Sequence, residues 1–553
     1  MPKSDSIKKY MVVLSIVLII AVFLFLVFYK FYAAEGPDEN LYSIISYTFM
    51  TQGFHIGYGI DSIKPIIIAG TALMFKLFGV SAFSEILFDV IMYGAGILML
   101  FLLGRKLHST QAGILSALFY STLPLGIYQV AREGDDAVMA TFAILAMLLF
   151  VYAMKGENKR RNYLMFLLAG FTAIIGALVV AETMLILLPM LLVLIYLTLK
   201  EPQKQYYLKS IAFTLAGAAL AVAVMIGIGF LAYGAPLYII QGMLSNYSGI
   251  SKVPFVYGFY AYLVYMFPIG TALVPISGIT YLVETGGYFY IVIVMSLVVL
   301  LYRDHRAALP VLWLISLILY LSFGTESLTH YLQIDWGVPY LRYLMIVMPA
   351  VSLIFGMGFA DLFSKKASEG RNHLLKTHTT RGFHTKRTKN VILIILIGAI
   401  MASNVFFIYI IKMSMYNYAY SLYNLGKFID TLPVGSSLVL APLFINQNEF
   451  TFLLEPYTDY QYQFVTNLNQ TNCTTLGKYE YIITLLNNTL QQRCNLDTVY
   501  VQVPSPSYLR KYDIFGQPYS MVSTNNTLIG KSFNFTYAVY KIPVLTGQSK
   551  SQP

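Results

Sequence analysis

Three carboxylates lie within five residues directly after the first long apolar run of the chain. That run extends from Met11 to Tyr32, and Glu35, Asp38 and Glu39 follow it. Ionised carboxylates are costly to place at a membrane boundary and are seldom found there without a partner or a task. A positioned carboxylate can accept a proton from a reacting group. This stretch is therefore the first candidate for chemistry.

A small set of other ionisable side chains falls on the same predicted side of the membrane. They are Lys64, Glu85, Asp89, Arg132, Asp135, Asp136 and Arg342. Acids and bases gathered at one membrane face, with almost none at mid-bilayer, indicate a surface-level active site served by a lipid. They do not indicate a transmembrane ion path.

The composition excludes a soluble globular protein. Apolar residues make up 57% of the 553-residue chain, charged residues make up 11%, and the mean hydropathy is +0.65. Several apolar runs of about 20 residues are each long enough to cross a hydrocarbon core of about 30 Å. The sequence therefore predicts an α-helical polytopic membrane protein.

About eleven transmembrane helices are predicted from these runs. After the first run they are Phe83–Gly104, Ala112–Val130, Ala137–Met154, Tyr163–Val180, Thr183–Leu199, Leu208–Leu231, Gly287–Tyr302, Leu309–Phe323, Tyr340–Phe363 and Val391–Ile411. The shorter run Ile66–Phe78 is interrupted by Lys76 and is expected to lie at the interface. Prolines break the stretch Pro254–Glu284, which we interpret as a re-entrant or surface-lying pair of short helices.

The net charge of +11 reflects membrane topology. In the membrane part, lysines and arginines of the predicted cytoplasmic segments outnumber those of the exterior loops by about three to one, as the positive-inside rule requires. The N-terminus is thus predicted to be cytoplasmic and the C-terminus exterior. The basic loop Lys365–Lys389 is expected to contact anionic lipid headgroups. Nucleic acid is the weaker alternative, and no such partner is expected.

Two domains are predicted, a membrane domain over residues 1–412 with its exterior first loop at 33–82, and a small exterior α/β or α+β domain over 413–553. Strands are predicted at Ser437–Ala441, Tyr479–Leu485, Thr498–Val503 and Tyr537–Ile542. Cys473 and Cys494 are expected to form a disulfide in an oxidising compartment. Candidate glycosylation sequons all fall on the predicted exterior. They begin at Asn246, Asn469, Asn472, Asn487, Asn525 and Asn534.

Four motifs of the membrane part occur in a recognisable order. They are Pro37-Asp38-Glu39-x-x-Tyr42, Lys64-Pro65 with Phe75-Lys76-Leu77-Phe78-Gly79-Val80, Arg132-x-x-Asp135-Asp136 with Thr141-Phe142-Ala143, and Pro339-Tyr340-Leu341-Arg342-Tyr343. With these motifs the chain resembles the polyprenyl-phosphate-sugar-dependent glycosyltransferases of the GT-C class, specifically the protein mannosyltransferase and aminoarabinose-transferase branch. An oligosaccharyltransferase is a closer alternative than a transporter or a receptor, but the WWDxG signature of oligosaccharyltransferases is absent from this chain.

The resemblance implies roles for these residues. Asp38, with Glu39 beside it, matches the acid that takes the proton of an acceptor hydroxyl. Lys64, Arg132 and Arg342 match cations that stabilise the leaving lipid phosphate. Glu39, Asp135, Asp136 and Glu85 are expected either to orient these cations or to hold a divalent metal. Some relatives carry an acid directly before the lysine of the Lys-Pro motif, whereas this chain has Ile63 there.

The resemblance also implies the reaction. One sugar is expected to move from a dolichyl- or undecaprenyl-phosphate carrier to the hydroxyl of a glycan, lipid or protein on the exoplasmic face, with inversion at the anomeric centre. A lipid-carrier transporter or flippase, and a receptor that binds through residues 413–553, remain as alternatives. An archaeal cell membrane is the expected location, with the endoplasmic reticulum as the alternative.

Overall fold

The computed structural model describes the backbone of residues 3–29, 37–53, 64–131, 135–248, 308–323, 341–363 and 391–406, five strands, and a few residues between these ranges. The chain divides into two compact units. One contains residues 1–29, 52–70 and 86–411, and the other contains residues 30–51, 71–85 and 412–553.

Fourteen α-helices occur in the described part of the chain. They are α1 (Lys3–Phe28), α2 (Pro37–Gln52), α3 (Pro65–Phe78), α4 (Ala82–Leu107), α5 (Thr110–Ser121), α6 (Pro124–Val130), α7 (Asp135–Met154), α8 (Lys159–Ile175), α9 (Leu187–Lys200), α10 (Lys204–Tyr233), α11 (Tyr238–Ser248), α12 (Ala308–Phe323), α13 (Met348–Phe363) and α14 (Val391–Phe406). Short 3₁₀ helices precede α9 and α13, at Ala181–Ile186 and Leu341–Ile346.

Seven of the described helical segments are long and apolar enough to cross a membrane. The pair α5 and α6 adds an eighth if it counts as one span. The prediction of a polytopic helical membrane protein is thus confirmed. Two further predicted spans correspond to the shorter apolar helices α12 and α14, while most of the predicted span 287–302 and all of 254–284 lie outside the described residues.

The predicted span Ala112–Val130 is bent by 58° between α5 and α6. Pro124 is the first residue of α6. Proline has no backbone N–H and its ring clashes with the preceding turn, so a helix cannot continue through it unchanged. The two segments are therefore not the single straight helix that the hydropathy of this run predicts.

Small residues allow close packing of α8 against α10. A Cβ atom at Gly170 would collide with the backbone carbonyl of Thr214, and one at Gly217 would collide with that of Leu167. Lipid tails are as apolar as leucine, so helix association in a membrane depends on such close backbone approach. The same device joins α5 to α13, where Gly356 lies against Ala112 and Ser116.

The second unit contains a five-stranded mixed sheet with the order β2-β1-β3-β5-β4. The strands are β1 (Ser437–Leu440), β2 (Gln461–Phe464), β3 (Tyr481–Leu485), β4 (Asp497–Gln502) and β5 (Tyr537–Lys541). Strand β1 pairs in parallel with β2 and β3, whereas β5 pairs antiparallel with β3 and β4. Strands are therefore present in all four predicted segments. Strand β2, which is short and contains two glutamines, was not predicted from the sequence.

The remaining predictions for this region lie largely outside the described residues. Both cysteines and the five sequons from Asn469 to Asn534 are among them. Asn246 lies in α11, and its side chain is outside the described part. The boundary at residue 412 and the assignment as α/β or α+β stay predictions.

Candidate functional site

Asp38 and Glu39 lie in the first turn of α2, which begins at Pro37. Proline is favoured at the first helical position, and acidic residues in the first turn are stabilised by the unpaired N–H groups of the helix end. The described structure gives the backbone of these two residues and not their side chains. Further along α2, Tyr42, Ser43 and Ser46 are buried, so this short helix is firmly packed.

Lys64 and Asp135 form an ion pair across 71 residues of chain. The Lys64 Nζ atom lies 2.6 Å from Asp135 Oδ2, and the two side chains are 16% and 5% exposed. Lys64 directly precedes α3, and its carbonyl accepts the N–H of Ile68. Asp135 is the first residue of α7. The pair therefore joins the starts of two helices and places a cation and a carboxylate at one point.

The other predicted acids are buried close to helix starts. Asp136 follows Asp135 in the first turn of α7 and is 1% exposed. Glu85 and Asp89 lie four residues apart at the start of α4, and both are fully buried. Glu85 accepts a hydrogen bond from the Ser43 hydroxyl at 2.5 Å. Glu85 is thus hydrogen-bonded to α2, the helix whose first turn contains Asp38 and Glu39.

A polar contact supports the break between α5 and α6. Asn404 of α14 donates from Nδ2 to the Thr122 hydroxyl at 3.1 Å, and the Thr122 hydroxyl contacts Met401 Sδ at 3.3 Å. Asn404 and Thr122 are both buried. The contact therefore lies at the bend between α5 and α6, and α6 ends five residues before α7 begins.

The two remaining predicted cations are only partly described. Arg132 lies outside the described residues, and Arg342 is described only by its backbone in the 3₁₀ helix Leu341–Ile346. That 3₁₀ helix packs against α6 and α7. The described structure thus brings Lys64 and Asp135 together and places the backbone of Arg342 in an element that packs on the Asp135 helix.

No group of three or more histidine, cysteine or acidic side chains that could hold a metal occurs among the described residues. The side chains of Asp38 and Glu39 are outside that set, so the predicted alternative of a divalent metal stays a prediction. The contributions of Ser43 and Asn404 were not predicted from the sequence. A signal existed for Asn404, which is a polar residue in an apolar run, and none existed for Ser43.

Comparison with known proteins agrees with these observations. Residues 64–230 match the family of dolichyl-phosphate-mannose-protein mannosyltransferases, a range that begins at Lys64 and includes Arg132, Asp135 and Asp136. No curated protein sequence matches the chain.

Solved structures share the fold. ArnT from Cupriavidus metallidurans, bound to undecaprenyl phosphate, is 12% identical with a TM-score of 0.55 over 96% of this chain and 99% of that chain. The archaeal oligosaccharyltransferase AglB from Archaeoglobus fulgidus, in complex with an inhibitory peptide and a dolichol-phosphate, is 12% identical with a TM-score of 0.53. That match covers 86% of this chain and 70% of AglB. The family match to residues 64–230, together with the fold shared with these structures, confirms the resemblance seen in the sequence motifs.

Proposed function

We propose that this enzyme transfers a monosaccharide from a dolichyl or related polyprenyl phosphate to an acceptor hydroxyl on the exoplasmic face, by a single inverting displacement. The observation that carries this proposal is the ion pair of Lys64 with Asp135. It holds an ammonium group, mostly withdrawn from solvent, at the first residue of the range that matches the mannosyltransferase family.

The donor phosphate is the leaving group. As the bond between the anomeric carbon and the phosphate oxygen breaks, its electron pair stays on the phosphate, and negative charge develops there. A preorganised cation in a site of low water content stabilises that charge most strongly. An ammonium has three N–H donors, so Lys64 can contact a phosphate oxygen while it holds Asp135. Arg132 and Arg342 are the proposed additional phosphate contacts.

The acceptor hydroxyl is the nucleophile. Its oxygen forms the new bond to the anomeric carbon on the face opposite the departing phosphate, so the configuration inverts. A hydroxyl is a weak nucleophile at neutral pH and needs a base that takes its proton as the bond forms. Asp38 is that base in our proposal, with Glu39 beside it in the first turn of α2. The proton passes from the acceptor oxygen to the Asp38 carboxylate.

The acceptor is a glycan, lipid or protein that reaches the exterior of a cell membrane. The predicted C-terminal domain over residues 413–553 is on the same side under this topology. Asp135, Asp136 and Glu85 have two alternative roles, to orient the cations or to hold a divalent metal. Chelation of divalent ions distinguishes these two roles.

A transfer assay tests the proposal. Purified protein in detergent receives radiolabelled polyprenyl-phosphate mannose or glucose and mixed membrane acceptors, with and without EDTA. We expect label to move to acceptors with wild-type protein, and Asp38→Asn to lower the rate by at least about 100-fold with unchanged membrane insertion. A fully active Asp38→Asn protein would contradict the assignment of the base. Loss of transfer in EDTA, restored by added divalent ions, would establish a metal.

A further inference from the structure

The side chain of Glu85 carries a carboxyl group and is fully buried at the start of α4. Burying a carboxylate is unfavourable unless hydrogen bonds compensate the lost water. One such bond comes from the Ser43 hydroxyl, whose Oγ atom lies 2.5 Å from Glu85 Oε1. Ser43 is also fully buried. A separation this short is typical of a hydroxyl that donates to a charged carboxylate.

The turn before α4 fixes the position of Glu85. Gly79 has a positive φ of 78°, which glycine adopts without strain. The Ser84 hydroxyl donates to the Gly79 carbonyl at 2.5 Å, and the Ser81 carbonyl accepts the N–H of Glu85 at 3.0 Å. The Ser81 and Ser84 hydroxyls are 3.0 Å apart. These bonds begin α4 in a single backbone arrangement, and Glu85 follows directly.

The hydrogen bond from Ser43 links Glu85 to the first turns of α2. Ser43 follows Glu39 by four residues, about one turn of an α-helix, and Asp38 by five residues, about 1.4 turns. Residues four apart lie on the same face of a helix, so Glu39 and Ser43 share one face of α2. A hydrogen bond at Ser43 therefore restricts both the rotation of α2 about its axis and its translation along it.

We infer that Glu85 is a positioning residue for catalysis, which holds α2 through Ser43 in the register that presents Asp38 to the acceptor. This inference rests on the proposed role of Asp38 as the base. Glu85 itself takes no proton from the acceptor. Its loss should lower the rate of the chemical step and leave the binding of the donor phosphate near Lys64 almost unchanged.

Helix α2 contains a matched control for Ser43, the residue Ser46. Ser46 is as fully buried as Ser43 and lies three residues further along the helix, and its hydroxyl has no hydrogen-bond partner in the described part of the chain. Removing a buried hydroxyl that makes no hydrogen bond is close to neutral for stability. Ser46→Ala should therefore leave activity unchanged.

The test compares Ser43→Ala, Ser43→Thr, Ser46→Ala, Glu85→Gln and the double variant Ser43→Ala/Glu85→Gln in the transfer assay, with thermal unfolding of each protein in detergent. We expect Ser43→Ala to lower kcat by about 10- to 100-fold, since a misplacement of about 1 Å can cost that much. The KM for the donor should stay within about 3-fold. Ser43→Thr, which keeps the hydroxyl, should restore most of the activity.

Three outcomes would overturn the inference. The first is equal activity of Ser43→Ala and Ser46→Ala. The second is full additivity of Ser43→Ala and Glu85→Gln, because two residues that act through one bond must be coupled. The third is loss of the acidic limb of the pH–rate profile in Glu85→Gln, which would make Glu85 a base. Asp38→Asn is measured in parallel. If Asp38→Asn is inactive while Ser43→Ala has normal activity, only the role of Glu85 fails. If Asp38→Asn is active, the proposed base and the role of Glu85 fail together.

Discussion

The Nζ atom of Lys64 lies 2.6 Å from Oδ2 of Asp135 in a site where the carboxylate side chain is 5% exposed. The pair links residues that directly precede α3 and begin α7. Burying two charges is unfavourable unless they compensate each other, and removal of one partner of a buried pair typically costs about 3–5 kcal/mol. The pair is therefore expected to serve both the stability of the protein and the placement of the lysine.

Replacement of Lys64 tests its role at the donor phosphate. We expect Lys64→Gln to lower kcat/KM for transfer by about 100- to 1,000-fold, because a preorganised charge at the leaving group contributes several kcal/mol to the transition state. The matched control is Lys76→Gln, which removes the same charge from the exposed last turn of α3. Equal activities of the two variants would show that Lys64 only anchors α3.

The variant Asp135→Asn tests whether the negative charge of Asp135, as distinct from the shape of its side chain, is needed to hold Lys64. The amide keeps the shape of the side chain but leaves the Lys64 ammonium less well compensated, so we expect a lower midpoint of thermal unfolding and a kcat/KM reduced by about 10- to 100-fold. The double variant Lys64→Gln/Asp135→Asn should be more stable than the sum of the single effects predicts. Strict additivity of the unfolding free energies would contradict a direct interaction.

The contact of α8 with α10 depends on Gly217. We expect Gly217→Ala to lower the midpoint of unfolding in detergent, since its Cβ would meet the Leu167 carbonyl and overpacking costs about 1–3 kcal/mol. Gly227 of the same helix has open space around an added Cβ. Gly227→Ala should therefore be neutral or slightly stabilising, because alanine is the better helix former. A larger loss from Gly227→Ala than from Gly217→Ala would refute this packing.

Asn404 donates a buried hydrogen bond to Thr122 at the break between α5 and α6. We expect Asn404→Ala to lower the unfolding midpoint and to reduce transfer several-fold, because Thr122 loses a buried hydrogen bond at the bend that precedes α7. The neighbouring Ser403 is less buried than Asn404, so Ser403→Ala is the control. Activity and stability of Asn404→Ala equal to those of Ser403→Ala would show that the contact is dispensable.

Membrane orientation can be tested by labelling single cysteines with a membrane-impermeant maleimide. Lys159→Cys, at the exposed start of α8, should react only when the cytoplasmic side is accessible. Lys76→Cys should react from the exterior. Cys473 and Cys494 should stay unlabelled until the predicted disulfide is reduced. Labelling of both introduced cysteines from the same side would contradict the predicted topology.

Most of the membrane helices could be predicted because hydropathy is a local property of the sequence. The apolar runs at Phe83–Gly104, Ala137–Met154 and Leu208–Leu231 each correspond to one helix, α4, α7 and α10. The bend before α6 was missed, although Pro124 is visible in the sequence, because the apolar character continues through the bend. A hydropathy pattern reports burial in lipid and contains no information on the direction of the helix axis.

The contacts of the site could not be predicted in the same way. Lys64 and Asp135 were each identified as candidates, but their pairing depends on how α3 and α7 pack, which no local pattern encodes. Glu85 was expected to support the cations or a metal, and its described hydrogen bond is to Ser43. A serine in a short helix gives no sign in the sequence that it will meet a carboxylate 42 residues away.

Release of polyprenyl phosphate tests the central claim most directly. Purified wild-type protein, Asp38→Asn and Lys64→Gln are incubated with polyprenyl-phosphate mannose and acceptor, and the free lipid phosphate is quantified by mass spectrometry. We predict release by the wild-type protein in step with sugar transfer, and losses of at least about 100-fold in both variants. A wild-type protein that binds the donor and moves it between leaflets without releasing lipid phosphate would contradict a glycosyltransferase and indicate a lipid-carrier transporter.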